Sequence, residues 1–447
     1  MPRVRISHLA VRATLFAAVL ACGPGSPLRE VVREESAHER YARSLREAGL
    51  DGTALGRDWL GAADGALAVA TPVTLPFREA GYFAEDEARA VAYRVQARRG
   101  QRLVATVEAQ GAVPARLFID LFGPPRDSGG PPARLASADS GTLAVSAEAE
   151  RDGDYVVRVQ PELLRAARFV VTLRAEASLA FPVEGRDSRA VQSVFGVDRD
   201  GGRRAHQGID IFAPRGTPVL AAAAGMAYAS DNRLGGRVVW VRDARRGQSL
   251  YYAHLESQAV GVGQRVRVGD TLGFVGNSGN ARTTPPHLHF GIYRRGEGAV
   301  DPYPFVSQPR GTAPAVAGDT AAFGAWRRVV ARRGLALRAA PGEDALVLRT
   351  LAPRTPVRVE GAAGGAYRVR TPDGVMGYVA AAGTATTDAP LERTRPAAVA
   401  VVLDRPAPTG VALDSVARGR TVPVLGRFGD YLLVRAPGGR AGWMAAD

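Results

Sequence analysis

Six histidines occur in 447 residues, and four of them, His206, His254, His287 and His289, fall within one segment. The other two, His8 and His38, lie towards the N-terminus. Neutral imidazole is the commonest metal ligand and a usual general base, so a His-poor chain that gathers its histidines this way is arranged for one task or both. The spacing adds geometry. In His206-Gln207-Gly208-Ile209-Asp210 an imidazole and a carboxylate stand four apart around a glycine. His287-Leu288-His289 lies in the strand-like run PHLHFGIY. Residues two apart on a strand share a face, so both rings reach one side while Leu288 and Phe290 turn to the other. His254 closes a second strand-like run, LYYAHL. A catalytic zinc takes three N or O ligands and keeps one position open for water. Two histidines and one aspartate meet that demand and leave two imidazoles for handling protons.

Around these residues runs an ordered series of motifs. HQGIDI at 206–211 is followed by APRGTPV at 213–219, YAHL at 252–255, GQRVRVGD at 263–270, GFVGNSG at 273–279 and PHLHF at 286–290. In this order and spacing the segment 181–306 resembles the M23 family of peptidoglycan metallopeptidases, which includes lysostaphin and the LytM-type enzymes. One departure is small: Pro285 stands where the family often has glycine. The resemblance implies a zinc endopeptidase acting on peptide cross-links of bacterial peptidoglycan. It also implies that His206, Asp210 and His289 are the Zn2+ ligands and that His254 and His287 are the catalytic pair. One of the pair would move the proton of the attacking water, and the other would bond that water or the developing oxyanion. The competing reading is a non-catalytic wall-binding regulator that activates a separate amidase. Relatives of that kind typically lose ligands, and all five positions are present here. Gly263, Gly269, Gly273, Gly276 and Gly279 are expected to serve tight hairpins. They form no phosphate cradle, because no Gly-Lys-Ser follows and the chain has no lysine. Asn277 and Ser278 read as turn residues, and the loop around Arg282 as solvated.

The elements that must hold these residues read as mainly β. Over 70–178, runs such as VAYRV and LVATV alternate with period two between Gly, Pro and Asp turns, which predicts a β-sandwich. GDYVVRV at 153–159 resembles strands of bacterial pre-peptidase C-terminal sandwiches. Residues 307–325 read as a Pro/Gly/Ala linker. The C-terminal part repeats itself at an offset of 65, pairing Pro341 with Pro406, Gly361 with Gly426 and Gly377-Tyr378 with Gly442-Trp443. Each unit ends in Gly-aromatic-hydrophobic and resembles a bacterial SH3-type barrel, one at 326–385 and one at 395–447. That resemblance implies wall- or ligand-binding adaptors. The expected fold is a sandwich, an antiparallel M23 sheet, two small SH3-like barrels and a short N-terminal helix.

The N-terminus carries its own signal. Arg3, Arg5 and Arg12 accompany an apolar run at 13–21 that is too short to span a bilayer and ends at Cys22, the single cysteine. VLAC at 19–22 resembles the bacterial lipobox. This implies a signal peptide at 1–21, lipidation of Cys22 and an exported lipoprotein of the cell envelope. Gly23 gives no acidic retention signal, which favours the outer membrane facing the periplasm. Residues 22–69 then read as a spacer with a short helix. One cysteine allows no internal disulfide. A 46% hydrophobic composition excludes wholesale disorder, and the rest of the chain likewise holds no apolar run long enough for a spanning helix. The net charge of +14 comes entirely from arginine on the basic side. It suits acidic polymers such as wall peptides with free carboxylates, but the arginines are scattered among acids, so no nucleic-acid partner is expected.

Overall fold

The computed structural model describes residues 34–446 apart from 111–114, 128, 139–140, 200 and 310. The expected signal peptide and Cys22 lie outside the described residues. The architecture is mainly β, with antiparallel pairing almost throughout. No helix among the described residues is long and apolar enough to cross a membrane.

Two sheets face each other after residue 70. One has the spatial order Thr71–Pro72, Val91–Ala97, Gly153–Pro161, Leu117–Gly123 and Ala133–Ala138. Across from it lie Phe77–Phe83, Ala167–Ala177, Gln101–Gln110 and Ala144–Glu148. Leu117, Ile119, Leu121, Val157, Val159, Phe169 and Val171 fill the space between them. Leu117–Gly123 is buried along its whole length instead of alternating. Its outer face is covered too, by helices α1 (Ala37–Glu47) and α2 (Ala54–Ala68). A strand covered on both faces loses the period-two signature.

This differs from the expected spacer over 22–69. From Ser36 onward the chain enters two docked helices, the first closed by a Ser36/Glu39 capping box. Trp59 is fully buried, its Nε1 donates to Pro161 O at 2.8 Å, and His38 stacks on it at 4.8 Å. His38 Nε2 also meets Gln160 Oε1 at 2.8 Å. A few large aromatic groups do the docking, so the helices show no continuous apolar stripe in sequence.

The peptidase-like segment forms a separate ten-stranded sheet. Its spine runs Val191–Ser193, Ile209–Phe212, His287–Arg294, Gln248–Gln258, Gly236–Asp243, Gly225–Asn232 and Gln264–Val266. Ile209, Ile211, Leu250, Tyr252, Leu288, Phe290 and Ile292 pack together on one side of it. The sheet is fastened to the sandwich by Phe305 seated against Gly100 and by the ion pairs Arg98–Asp301 (3.0 Å) and Arg246–Glu148 (2.9 Å).

The C-terminal repeat has a structural counterpart at the same offset. Ala366–Arg370 and Met376–Ala380 recur as Tyr431–Arg435 and Ala441–Ala445, and Leu335–Arg338 and Val347–Leu351 as Ala400–Leu403 and Ala412–Val416. The second copy has its own six-stranded sheet. The first is fused to the sandwich: Pro356–Ala363 pairs with Phe77–Phe83 through Ala80↔Ala362 and Gly81↔Gly361. One eleven-stranded sheet therefore crosses the divide that the linker was expected to mark. The segment read as that linker is docked as well, with Val316, Ala322 and Phe323 in the core beneath the join. Glu79, fully buried there, accepts from Tyr93 (2.8 Å) and Tyr378 (2.5 Å) and pairs with Arg368 at 3.0 Å. Beside it, Glu360 pairs with Arg89 (2.5 Å) and Arg370 (2.8 Å).

Candidate active site

Strand register assembles the site. Ile209–Phe212 and His287–Arg294 pair antiparallel, with Asp210 opposite His289 and Phe212 opposite His287. Directly opposed residues share a face. Asp210, His287 and His289 therefore stand together while Ile209, Ile211, Leu288 and Phe290 enter the core. On the far side of the same strand, Ala253 is the partner of His289. Regular alternation would send His254, the next residue, to the opposite face. The strand bulges there: Arg237 pairs with Leu255 and Val239 with Tyr252, so Val238 alone faces Ala253 and His254. His254 takes φ 64, a left-handed conformation that costs a non-glycine residue about 1–2 kcal/mol. The bulge re-aims the ring. Its centroid lies 5.1 Å from that of His287 and 5.8 Å from that of His289. His254 N donates to Gly235 O at 2.7 Å, and Asn280 N to Leu234 O at 3.0 Å, which ties the two flanking loops together. Gly279, at φ 70, permits that approach, since a Cβ there would collide with Leu234 O. Of the five glycines expected in hairpins, Gly273 and Gly276 instead lie flat against the backbone of residues 255–258.

Three atoms that could ligate a metal form a triangle. His206 Nε2, Asp210 Oδ1 and His289 Nδ1 are each 3.0 Å from the other two. His206 Nδ1 donates to Val194 O at 2.9 Å. A carbonyl only accepts, so the proton is fixed on Nδ1 and Nε2 offers its lone pair to the triangle. A carboxylate oxygen and two imidazole nitrogens at this separation could hold a cation among them. The N2O donor set, with His206 oriented through its other nitrogen, suits zinc. Burial pushes the Asp210 carboxyl up, but its close polar contacts with the His206 and His289 rings outweigh that and hold Asp210 well below the usual carboxylate range. Burial likewise lowers His289.

The other two imidazoles stand beside the triangle. His254 Nδ1 donates to Ser278 O and His287 Nδ1 to Pro285 O, both at 2.9 Å, so each ring keeps Nε2 as its free lone pair. His287 Nε2 is 4.0 Å from Asp210 Oδ1, and Phe212 stacks on its ring at 5.0 Å. Burial first, then the neighbouring His287 and His289, lower His254 to about 4, which leaves the ring neutral at neutral pH. All five residues singled out in the sequence thus meet in one place. Ser278, read as a turn residue, supplies the carbonyl that orients His254. Asn277 holds the loop before His287 by donating to Arg282 O (3.2 Å) and Thr284 O (3.3 Å).

Sequence reasoning missed two features. Arg199 Nη2 donates to Asp210 Oδ2 at 2.6 Å, and nothing in the chain's many arginines marks that one out. Trp240, Tyr251 and Tyr293 form a half-buried aromatic cluster, with Tyr251 5.9 Å from His289 and 4.4 Å from Trp240. The alternation Tyr251–Ala253 on the strand opposite His289 carried that signal.

Residues 204–302 match Peptidase family M23. An L-Ala--D-Glu endopeptidase of Bacillus subtilis is 41% identical over 139 residues, 28% of this chain and 42% of that protein. The peptidoglycan DD-endopeptidase ShyC of Vibrio cholerae is 38% identical over 109 residues, 23% of this chain and 24% of that protein. The chain therefore spans less than half the length of these curated relatives. Among solved structures, the catalytic domain of lysostaphin from Staphylococcus simulans is 31% identical, with 26% of this chain and 87% of that one covered and a TM-score of 0.23.

Proposed function

From the premise that this chain carries a peptidase M23 domain over residues 204–302, we propose that it is a zinc-dependent endopeptidase hydrolysing peptide cross-links of bacterial peptidoglycan. The observation that carries this reading is the donor triangle of His206, Asp210 and His289 with two neutral-capable imidazoles beside it. The relatives named as endopeptidases, one of them explicitly of peptidoglycan, support the substrate class. In this reading His206 Nε2, Asp210 Oδ1 and His289 Nδ1 hold the metal. When bound, zinc supplies Lewis acidity that polarises the scissile carbonyl and eases deprotonation of the attacking water. The chain's own residues do the rest. One of His254 and His287 takes the water's proton at Nε2 and passes it to the leaving amine, while the other hydrogen-bonds the water or the developing oxyanion. The carbonyls of Ser278 and Pro285 keep each ring in the tautomer this requires.

We also read the N-terminal 22 residues as an export signal ending in a lipid anchor at Cys22, and the two C-terminal repeats as SH3-type units that hold the enzyme on the wall. Digestion of purified peptidoglycan by the mature protein, with and without chelator and beside His289→Ala, tests the central reading. New peptide ends that vanish with chelator and in the variant are expected, and their masses name the bond. Zinc-loaded, folded protein that yields no new ends would overturn it and bring forward the amidase-activating reading.

A further inference from the structure

We propose that Arg199 is the positioning residue of the metal centre: it captures one oxygen of Asp210 so that the other alone faces His206 and His289. The inference rests on the zinc-peptidase reading above. Asp210 has two carboxylate oxygens with separate partners. Oδ1 belongs to the triangle, and Oδ2 accepts from Arg199 Nη2 at 2.6 Å. The same Nη2 donates to Ser193 Oγ at 2.6 Å, which fixes the guanidinium from its other side. A carboxylate held this way cannot rotate or turn both oxygens to the metal.

The backbone supports this role. Asp198–Arg199 pairs antiparallel with Arg204–Ala205, and the next residue is the ligand His206. His206 N donates to Val197 O, and Gly196 N to His206 O, both at 2.9 Å. Val194 O then orients the His206 ring. One folded-back segment, 193–206, thus supplies a ligand, orients that ligand and clamps a second ligand on the neighbouring strand. One guanidinium nitrogen serves Asp210 and Ser193 together, and the planar, delocalised group is more weakly hydrated and less freely rotating than a lysine ammonium on its flexible stem.

The test is zinc affinity, measured on the full mature chain by competition with a chromophoric chelator for wild type, Arg199→Ala, Arg199→Lys and Ser193→Ala. Turnover of peptidoglycan at saturating zinc is measured alongside. Arg199→Ala is expected to bind zinc about ten- to a hundredfold more weakly, with Arg199→Lys and Ser193→Ala between it and wild type. At saturating zinc its kcat falls while KM for the wall substrate holds. Folded Arg199→Ala that binds zinc within about twofold of wild type, with kcat unchanged, overturns the inference. A defect confined to KM also overturns it, because Arg199 would then serve the substrate. If Arg199→Ala does not fold, Arg199→Lys and Ser193→Ala carry the test, and wild-type zinc affinity in both overturns it. Wild-type protein that binds no zinc refutes the peptidase reading itself, a separate outcome.

Discussion

Two buried polar clusters in this molecule have opposite logic. At the join between the sandwich and the first C-terminal unit, Glu79 accepts from Tyr93 and Tyr378 and forms an ion pair with Arg368, and Glu360 forms ion pairs with Arg89 and Arg370. Burial, and then the charge of Glu79, push both tyrosines well above their usual range, so they stay protonated and keep donating. Acids face bases, so the charges of the cluster are balanced within the chain by ion pairing. At the histidine cluster, lone pairs face a carboxylate oxygen at 3.0 Å and the outer atoms are tied off by Val194, Ser278, Pro285 and Arg199. That cluster could take a metal ion from outside, as the proposed function requires. A self-neutralised cluster suits a joint, and a cluster whose ligand atoms converge on one point suits a site.

The contrast can be broken at its strongest point first. Asp210→Ala removes the only anion of the triangle and is expected to abolish both zinc binding and hydrolysis. Added zinc should rescue chelated wild type and leave the variant inactive, as read by metal content and by product masses. His254→Asn follows, chosen because Asn tolerates the left-handed backbone at φ 64. It should retain zinc and lose about 10²–10⁴-fold in kcat. Retained turnover would show that His287 alone handles the proton.

The joint should answer in the opposite way. Glu79→Ala leaves Arg368 buried without its partner and should cost about 3–5 kcal/mol in urea unfolding. Zinc affinity and turnover of the folded fraction should not move. A smaller effect comes from the helix dock, where burial, then Arg158, lowers His38 to about 4. Between pH 6.5 and about 4 the unfolded chain binds a proton that the folded chain refuses. Stability therefore falls as pH drops through that window and is full above it, by up to about 3 kcal/mol. His38→Asn should flatten that slope in thermal melts taken across the window, and an unchanged slope would remove His38 from the account.

Much of the site was legible because its chemistry is written locally. His287-Leu288-His289 on a strand places two rings on one face whatever the rest of the chain does, and the rarity of histidine drew attention to them. The alternation of the sandwich strands was equally local. Leu117–Gly123 hid its alternation only because α1 and α2 cover its second face. His254 illustrates the limit. Its identity was visible, but strand periodicity alone sends it to the wrong side, and the bulge opposite Val238 corrects that.

By itself, then, the sequence determined which residues gather at the candidate site, the β class of the elements that hold them and the repeat at the C-terminus, because residue type, period-two patterning and offset are properties of short stretches. Tertiary structure decided what depends on partners distant in the chain. It chose Arg199 among so many arginines by setting it 2.6 Å from Asp210, it turned a spacer into two helices docked through Trp59, and it ran one sheet through Ala80↔Ala362. None of these leaves a local mark, since each energy arises only when two surfaces leave water together.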